Sequence, residues 1–211
     1  MIHHGATKQR ILDTAERLFG QYGYAAISLR QIIAEAEVNL AAIHYHFGSK
    51  EDLLDEVVLR GVTPVNERRL ELLEAHEAET GGRPDLDKIL EIFLMPMADK
   101  ASRHPDFVRL MGRLMAEGLL PTIIQKHFQG IAARFSAALA RALPDLAPEE
   151  LAWRIHFMVG AIAQTMCGTP AFAPILGEPA PFHERLRRLS AFLAGGFRAP
   201  LPQPEKIEVQ L

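Results

Sequence analysis

Apolar residues recur at helical spacing along most of the chain. Ile11, Leu12, Ala15, Leu18, Phe19 and Tyr22 form the first such stripe and predict an amphipathic helix. Thr7 is a candidate cap for its start, and Gly23 a left-handed stop for its end. Ser28 opens a second helix. Gln31, three residues on, completes a capping box, and Leu29, Ile32, Ile33 and Ala36 supply the apolar side. After Ala36-Glu37-Val38, Asn39 caps a short third helix from Leu40 to Phe47, with Ile43 and Phe47 facing inward. Ser49 caps a fourth, with Asp52 in its first turn and Leu53, Leu54, Val57 and Val58 on its apolar face. Gly61 and Pro64 are expected to kink or break that helix before it resumes to about Glu77. Thr80-Gly81-Gly82-Arg83-Pro84 is the clearest linker. Helices are then expected near 85–102, 105–118, 121–143, 148–167 and 181–197, with a loose tail over 199–211.

Composition supports an all-α fold. Ala and Leu make up 56 of the 211 residues, whereas Val accounts for 8. The single cysteine, Cys167, excludes an intrachain disulfide, suits a reducing compartment and reads as a buried bystander thiol. The longest stretch free of charged residues, Ile155 to Gly177, contains Pro170 and Pro174. What precedes them is too short for the roughly 20 apolar residues of a membrane span. A buried or subunit-facing helix fits better, and no membrane partner is expected. The opening ten residues are polar, which argues against a signal peptide and for a cytoplasmic protein. A net charge of −3 argues against broad nonspecific binding to nucleic acid. The charge is uneven, however: net +1 up to Lys50 and net −4 beyond it.

The segment Ser28 to Leu54, SLRQIIAEAEVNLAAIHYHFGSKEDLL, changes the picture. Helix, tight turn, short helix and a capped long helix are the parts of a helix-turn-helix, whose second helix enters the major groove of DNA. Ala41 and Ala42 let that helix approach base edges, and Ala suits a thymine methyl. Arg30 is able to donate two hydrogen bonds to guanine, and Asn39 and His44 are able to address base edges. Tyr45, Lys50, Ser28 and Ser49 are able to donate to phosphate, which sets register without reading sequence. Each has a plainer role as well: Ser28, Asn39 and Ser49 as caps, Arg30 as a surface ion pair with Glu35 or Glu37, and Tyr45 in packing. His44 and His46 are not a metal pair, because residues two apart diverge on a helix.

At these residues the chain resembles the TetR family of transcriptional regulators. IHYHFGSKEDLL looks like the end of that family's recognition helix and the start of its fourth helix, and ILDTAERLFGQYGY like its opening helix. The resemblance covers roughly residues 7–60. It implies an N-terminal three-helix DNA-binding domain, 1–50, and a larger helical domain, 51–198, that binds a small ligand and makes a homodimer. It also implies base-reading positions at Arg30, Asn39, Leu40, Ala41 and His44, and phosphate contacts at Tyr45, His46 and Lys50. Two positions depart from the pattern. Glu37 stands in the turn where relatives often have Gly, and His44 stands where Tyr is common.

In the larger part, Phe93, Met97, Phe107, Met111, Met115, Phe128, Trp153, His156, Phe157 and Gln164 are candidate pocket residues, being apolar or aromatic with a few polar groups. Ordinary core is the plainer reading of each. Ile155, Val159 and Ile162, with Leu186, Leu189, Phe192 and Leu193, are candidates for a dimer interface built from two helices of each subunit. A twofold dimer would present two recognition helices to a palindromic site in double-stranded DNA. The expected function is a regulator, a repressor in the first instance, released by a small-molecule effector, with no metal or cofactor. No Gly-rich phosphate loop, nucleophile elbow or metal-spaced cluster supports an enzyme. A helical protein-interaction module without DNA binding is the alternative, and Glu37 is its best support.

Overall fold

In the computed structural model of the chain, the structure describes residues 2–167 and 180–201. Among them every regular element is helical: α1 (Ile2–Tyr22), α2 (Leu29–Glu35), α3 (Leu40–His46), α4 (Lys50–Glu79), α5 (Leu86–Arg103), α6 (Pro105–Ala116), α7 (Leu120–His127), α8 (Gln129–Ala142), α9 (Pro148–Cys167) and α10 (Phe182–Arg198). The all-α expectation holds. The side chain of Cys167 and most of the tail expected over 199–211 lie outside the described residues.

Local chemistry explains the N-terminal boundaries. Ser28 accepts from the Gln31 amide at 3.3 Å, and the Gln31 side chain accepts from the Ser28 amide at 2.8 Å, completing the capping box. Asn39 Oδ1 accepts from the Ala42 amide at 2.8 Å, and Ser49 Oγ from the Asp52 amide at 3.0 Å. Gly23, at φ +93°, ends α1 as expected.

Three expectations need correction. Thr7 does not cap α1, because the helix already runs from Ile2 through Gly5. Gly61 and Pro64 do not break α4, which continues for 30 residues. Pro64 lies on the exposed side, where water can meet the carbonyl it leaves unbonded. The helix expected over 121–143 is two helices, α7 and α8, separated at Phe128.

The N-terminal helices share one core. Ile11, Phe19, Ile32, Ile43 and Leu53 are fully buried, one or two from each of α1 to α4. That core continues into the rest of the chain along α4 and across the α1–α6 contact. Gly20 lies so near α6 that a Cβ would stand 2.7 Å from the Asp106 carbonyl oxygen. Gly61 plays the same part in α4, where a Cβ would collide with the ring of Phe107. Two glycines thus set how closely α6 packs beneath the N-terminal helices. In the C-terminal half α10 packs along α5 and α9. Buried Arg154 fixes the start of α9 to the end of α10, donating to the carbonyls of Phe197 at 2.7 Å and Gly196 at 3.2 Å.

Candidate nucleic-acid interface and the cavity behind it

Burying Ile43 and Phe47 turns the opposite face of α3 outward. Leu40, Ala41, His44 and Tyr45 are exposed there, Tyr45 at 75% and Leu40 at 53%. Large apolar and aromatic side chains exposed on a seven-residue helix bury little area within the fold and suit a surface that meets a partner. His44 Nδ1 lies 3.0 Å from the Gly48 carbonyl, and the Tyr45 ring stands edge-on to His46, centroids 5.0 Å apart. Ser28, Arg30 and Asn39 are also exposed.

Ion pairing sorts the modest charge of this region. Of the four acidic residues before Lys50, Asp13 and Glu16 pair with Arg60 at 2.6 Å each, and Glu35 with Arg17 at 2.7 Å. The pairs tie α1 to α4 and to α2. Arg30 does not form the ion pair with Glu35 or Glu37 that the plainer reading allows; among the described residues it has no ion pair. Arg10, which sequence reasoning passed over, is likewise exposed without one. It lines a groove between α1 and α3 with Thr7, Asn39, Ala41, Tyr45 and His46. Its place on α1 gave no local signal, since only the packing of α1 beside α3 brings it there.

Lys50 is engaged inside the protein. Its Nζ donates to the Tyr24 carbonyl at 2.6 Å and sits 4.1 Å from the centroid of the Tyr24 ring. Burial lowers its pKa, and burial with the Glu51 charge pushes the Tyr24 hydroxyl up to about 12. The same loop is held from below. Glu117, just past α6, accepts from the Tyr24 and Ala25 amides at 3.0 and 3.2 Å, and Arg113 donates to the Gln21 carbonyl at 3.0 Å. Glu117 comes this near because Gly23 has no Cβ to meet it.

Glu37 occupies the turn at φ +51°, the one non-glycine residue with positive φ among those described. The turn therefore keeps the left-handed geometry that favours Gly, and a Glu bears its strain. Glu37→Gly is expected to stabilise the protein by about 0.5–1 kcal/mol net of glycine's larger unfolded-state entropy. Thermal unfolding followed by circular dichroism checks this: a rise of roughly 2 °C is expected, and a fall would show that Glu37 makes a stabilising contact.

The larger part encloses a cavity of about 130 Å³ between α5, α6, α8 and α9. Of the candidate pocket residues, Phe93, Met97, Met111, Met115 and Phe128 line it. Phe107 does not; it is fully buried against Gly61. Trp153, His156, Phe157 and Gln164 lie on the exposed side of α9. Ile155, Val159 and Ile162, expected at a dimer interface, line the cavity instead. The cavity thus lies on the Ile155–Val159–Ile162 side of α9, not on the Trp153–Phe157 side expected. The helix is apolar around most of its circumference, so periodicity alone does not choose a side. On α10, Leu186, Leu189 and Leu193 are buried within the protomer, while Phe192 is 72% exposed. Arg69, which sequence reasoning did not single out, enters the cavity wall from α4. No helix among the described residues is long and apolar enough to cross a membrane.

Comparison with known proteins agrees with this layout. Residues 11–57 match the family model described as bacterial regulatory proteins of the tetR family. Residues 91–196 match that described as the tetracyclin repressor-like C-terminal domain. The chain is 38% identical over 88 residues to the HTH-type transcriptional regulator AcrR of Shigella flexneri, covering 42% of this chain and 39% of that one. It is 25% identical over 189 residues to the HTH-type transcriptional repressor NicS of Pseudomonas putida, covering 89% and 81%. The alignment to AcrR thus spans well under half of that relative's length. Among solved structures, a TetR-family regulator from Shewanella sp. PV-4 superposes with a TM-score of 0.62 at 20% identity, covering 90% of this chain and 95% of that one. PfmR from Thermus thermophilus superposes with a TM-score of 0.58 at 21% identity, covering 87% and 96%. At these identities the structural likeness establishes the fold. The chain belongs to the TetR family of bacterial regulatory proteins, whose members are transcriptional regulators and not enzymes.

Proposed function

We propose that the chain is a homodimeric repressor that reads a palindromic operator through α3 and lets go when a small molecule enters the cavity. The observation that carries the reading is the exposed face of α3, held at a fixed angle by the Ser28 and Asn39 caps over a fully buried Ile43. Leu40, Ala41 and His44, with Asn39 and Arg30, meet base edges; Ser28, Tyr45 and His46 meet phosphate. Arg10 joins the phosphate contacts from α1. Lys50 positions the Tyr24 loop and the start of α4 in the free protein, and contacts phosphate only if it leaves the Tyr24 carbonyl. Selection from random-sequence duplex DNA at moderate salt tests this reading. Enrichment of one sequence is expected; no enrichment would favour a helical protein-interaction module.

The dimer follows from an unpartnered aromatic face. Trp153 and Phe157 of α9 stack on each other at 5.9 Å and are 54% and 63% exposed, and Phe192 of α10 shares their exposure. Small Gly160, Gly195 and Gly196 on the same two helices leave space for a second copy to approach. A twofold pairing would bury these rings and double the phosphate contacts. Phe157→Glu with Phe192→Glu is expected to give a folded monomer by sedimentation equilibrium, with specific DNA binding lost. A dimer that persists in this variant would place the interface elsewhere.

Release runs through α6. Met111 and Met115 form part of the cavity wall, while Arg113 and Glu117, on and just beyond the same helix, hold the α1–α2 loop. A ligand that displaces α6 favours a spacing of recognition helices that does not fit the operator.

A further inference from the structure

The cavity is nearly all hydrocarbon. Its lining includes two polar side chains, Ser136 and Arg69. A guanidinium is a costly group to place there, since a buried charge needs a partner of opposite sign or a full set of hydrogen bonds. Arg69 has neither. It is 3% exposed, and no carboxylate pairs with it among the described residues. Its Nε donates to the Phe93 carbonyl at 2.7 Å and its Nη1 to Asn66 Oδ1 at 3.0 Å. The Phe93 ring, centroid 4.1 Å away, covers one side of the plane. Those bonds use two of the five N–H groups of the fork and hold it in one orientation. Burial pushes its pKa down to about 9, so it is cationic at neutral pH.

A guanidinium with no carboxylate partner among the described residues, set in the wall of an apolar cavity, is complementary to an oxyanion. Arg presents parallel N–H donors that match a carboxylate, and the pairing gains strength where water is excluded. The apolar part of the ligand is limited by volume: 130 Å³ is close to that of the roughly 150 Å³ cavity that accepts benzene. Met97, Met111, Met115, Met158 and Met166 make the wall adaptable around that size.

We infer that the effector is a compact apolar monocarboxylate whose carboxylate pairs with Arg69 while its ring or short chain fills the methionine-lined cavity. This rests on the reading of the cavity as the effector site. It names the charge and the size of what the site takes.

Pairs of closely similar shape, one charged and one neutral, provide the test: benzoate with benzamide, and butanoate, hexanoate and octanoate with their amides. Binding to the full chain is measured by calorimetry, for the parent, Arg69→Met, Arg69→Lys and Val159→Phe. The carboxylates are expected to bind the parent at least 10-fold more tightly than their amides. Arg69→Met is expected to erase that preference, Arg69→Lys to keep part of it, and Val159→Phe, which fills the cavity, to abolish binding of both classes. Amides that bind the parent as tightly as carboxylates, with binding lost in Val159→Phe, would overturn the anion inference and leave the cavity reading standing. Failure of every pair to bind, or binding unchanged by Val159→Phe, would overturn both. The comparison within the parent decides the question even if Arg69→Met does not fold.

Discussion

Ala41→Glu is expected to abolish specific DNA binding while leaving the fold intact. Ala41 is exposed in the second position of α3, beside Leu40 and in register with His44 and Tyr45. Its exposure leaves room for a longer side chain, and Glu is a good helix former. Its stability cost should therefore stay within about 0.5 kcal/mol. If α3 of a dimer reads DNA as proposed, the same side chain puts a carboxylate in place of a methyl group at a base edge, once in each copy. A lost base contact of about 1–3 kcal/mol per copy gives about 2–6 kcal/mol in all, or at least 30-fold in affinity. Fluorescence anisotropy on the selected site, together with a thermal melt, separates the two effects. An unchanged affinity would remove α3 from the interface. A lower melting temperature by several degrees would show that Ala41 has a structural role.

The largest effect on stability belongs to the Phe107–Gly61 contact. Phe107 is fully buried on α6, in space that exists because residue 61 of α4 has no side chain. Phe107→Ala is expected to cost about 3–5 kcal/mol, as other large-to-small core changes do. Gly61→Ala in the parent sets two opposing effects against each other. A helix-interior Ala gains about 1 kcal/mol over Gly, but overpacking against the ring costs about 1–3 kcal/mol, so a net loss is expected. In the Phe107→Ala background the obstruction is gone, and Gly61→Ala should become stabilising. Urea unfolding of the four proteins measures this change of sign as a coupling energy. Additive effects would mean that the ring does not fill the space above Gly61.

These two sites differ in how visible they are in the sequence. The α2–turn–α3 unit is written in short-range chemistry. Ser28 with Gln31, Asn39 before an apolar pair, and Ser49 before Asp52 are local signals, so the helix boundaries there follow from spacing of three residues. The exposed face of α3 follows from Ile43 and Phe47 being the inward pair. Interactions between distant parts of the chain leave no such trace. Nothing local marks Gly61 as the seat of Phe107, Glu117 as the clasp on the Tyr24 loop, or Arg69 as the charge in the cavity wall. Gly61 and Pro64 together imitate a helix break, although one admits a neighbouring ring and the other faces water. Helix α9 is ambiguous in the sequence for a different reason. With Trp153 and Phe157 on one side and Ile155, Val159 and Ile162 on the other, both faces are apolar. Only packing against α6 and α8 decides that the aliphatic face lines the cavity.

On the reading proposed above, two copies of α3 engage two inverted half-sites as one rigid unit. The spacing of those half-sites, mapped by hydroxyl-radical footprinting on the selected DNA, tests it most directly. Two symmetric protections are expected on one face of the duplex, their centres one helical turn of about 34–36 Å or a whole multiple apart, both lost with Phe157→Glu and Phe192→Glu. A single asymmetric protection, or one that the monomeric variant reproduces at the same affinity, would contradict it.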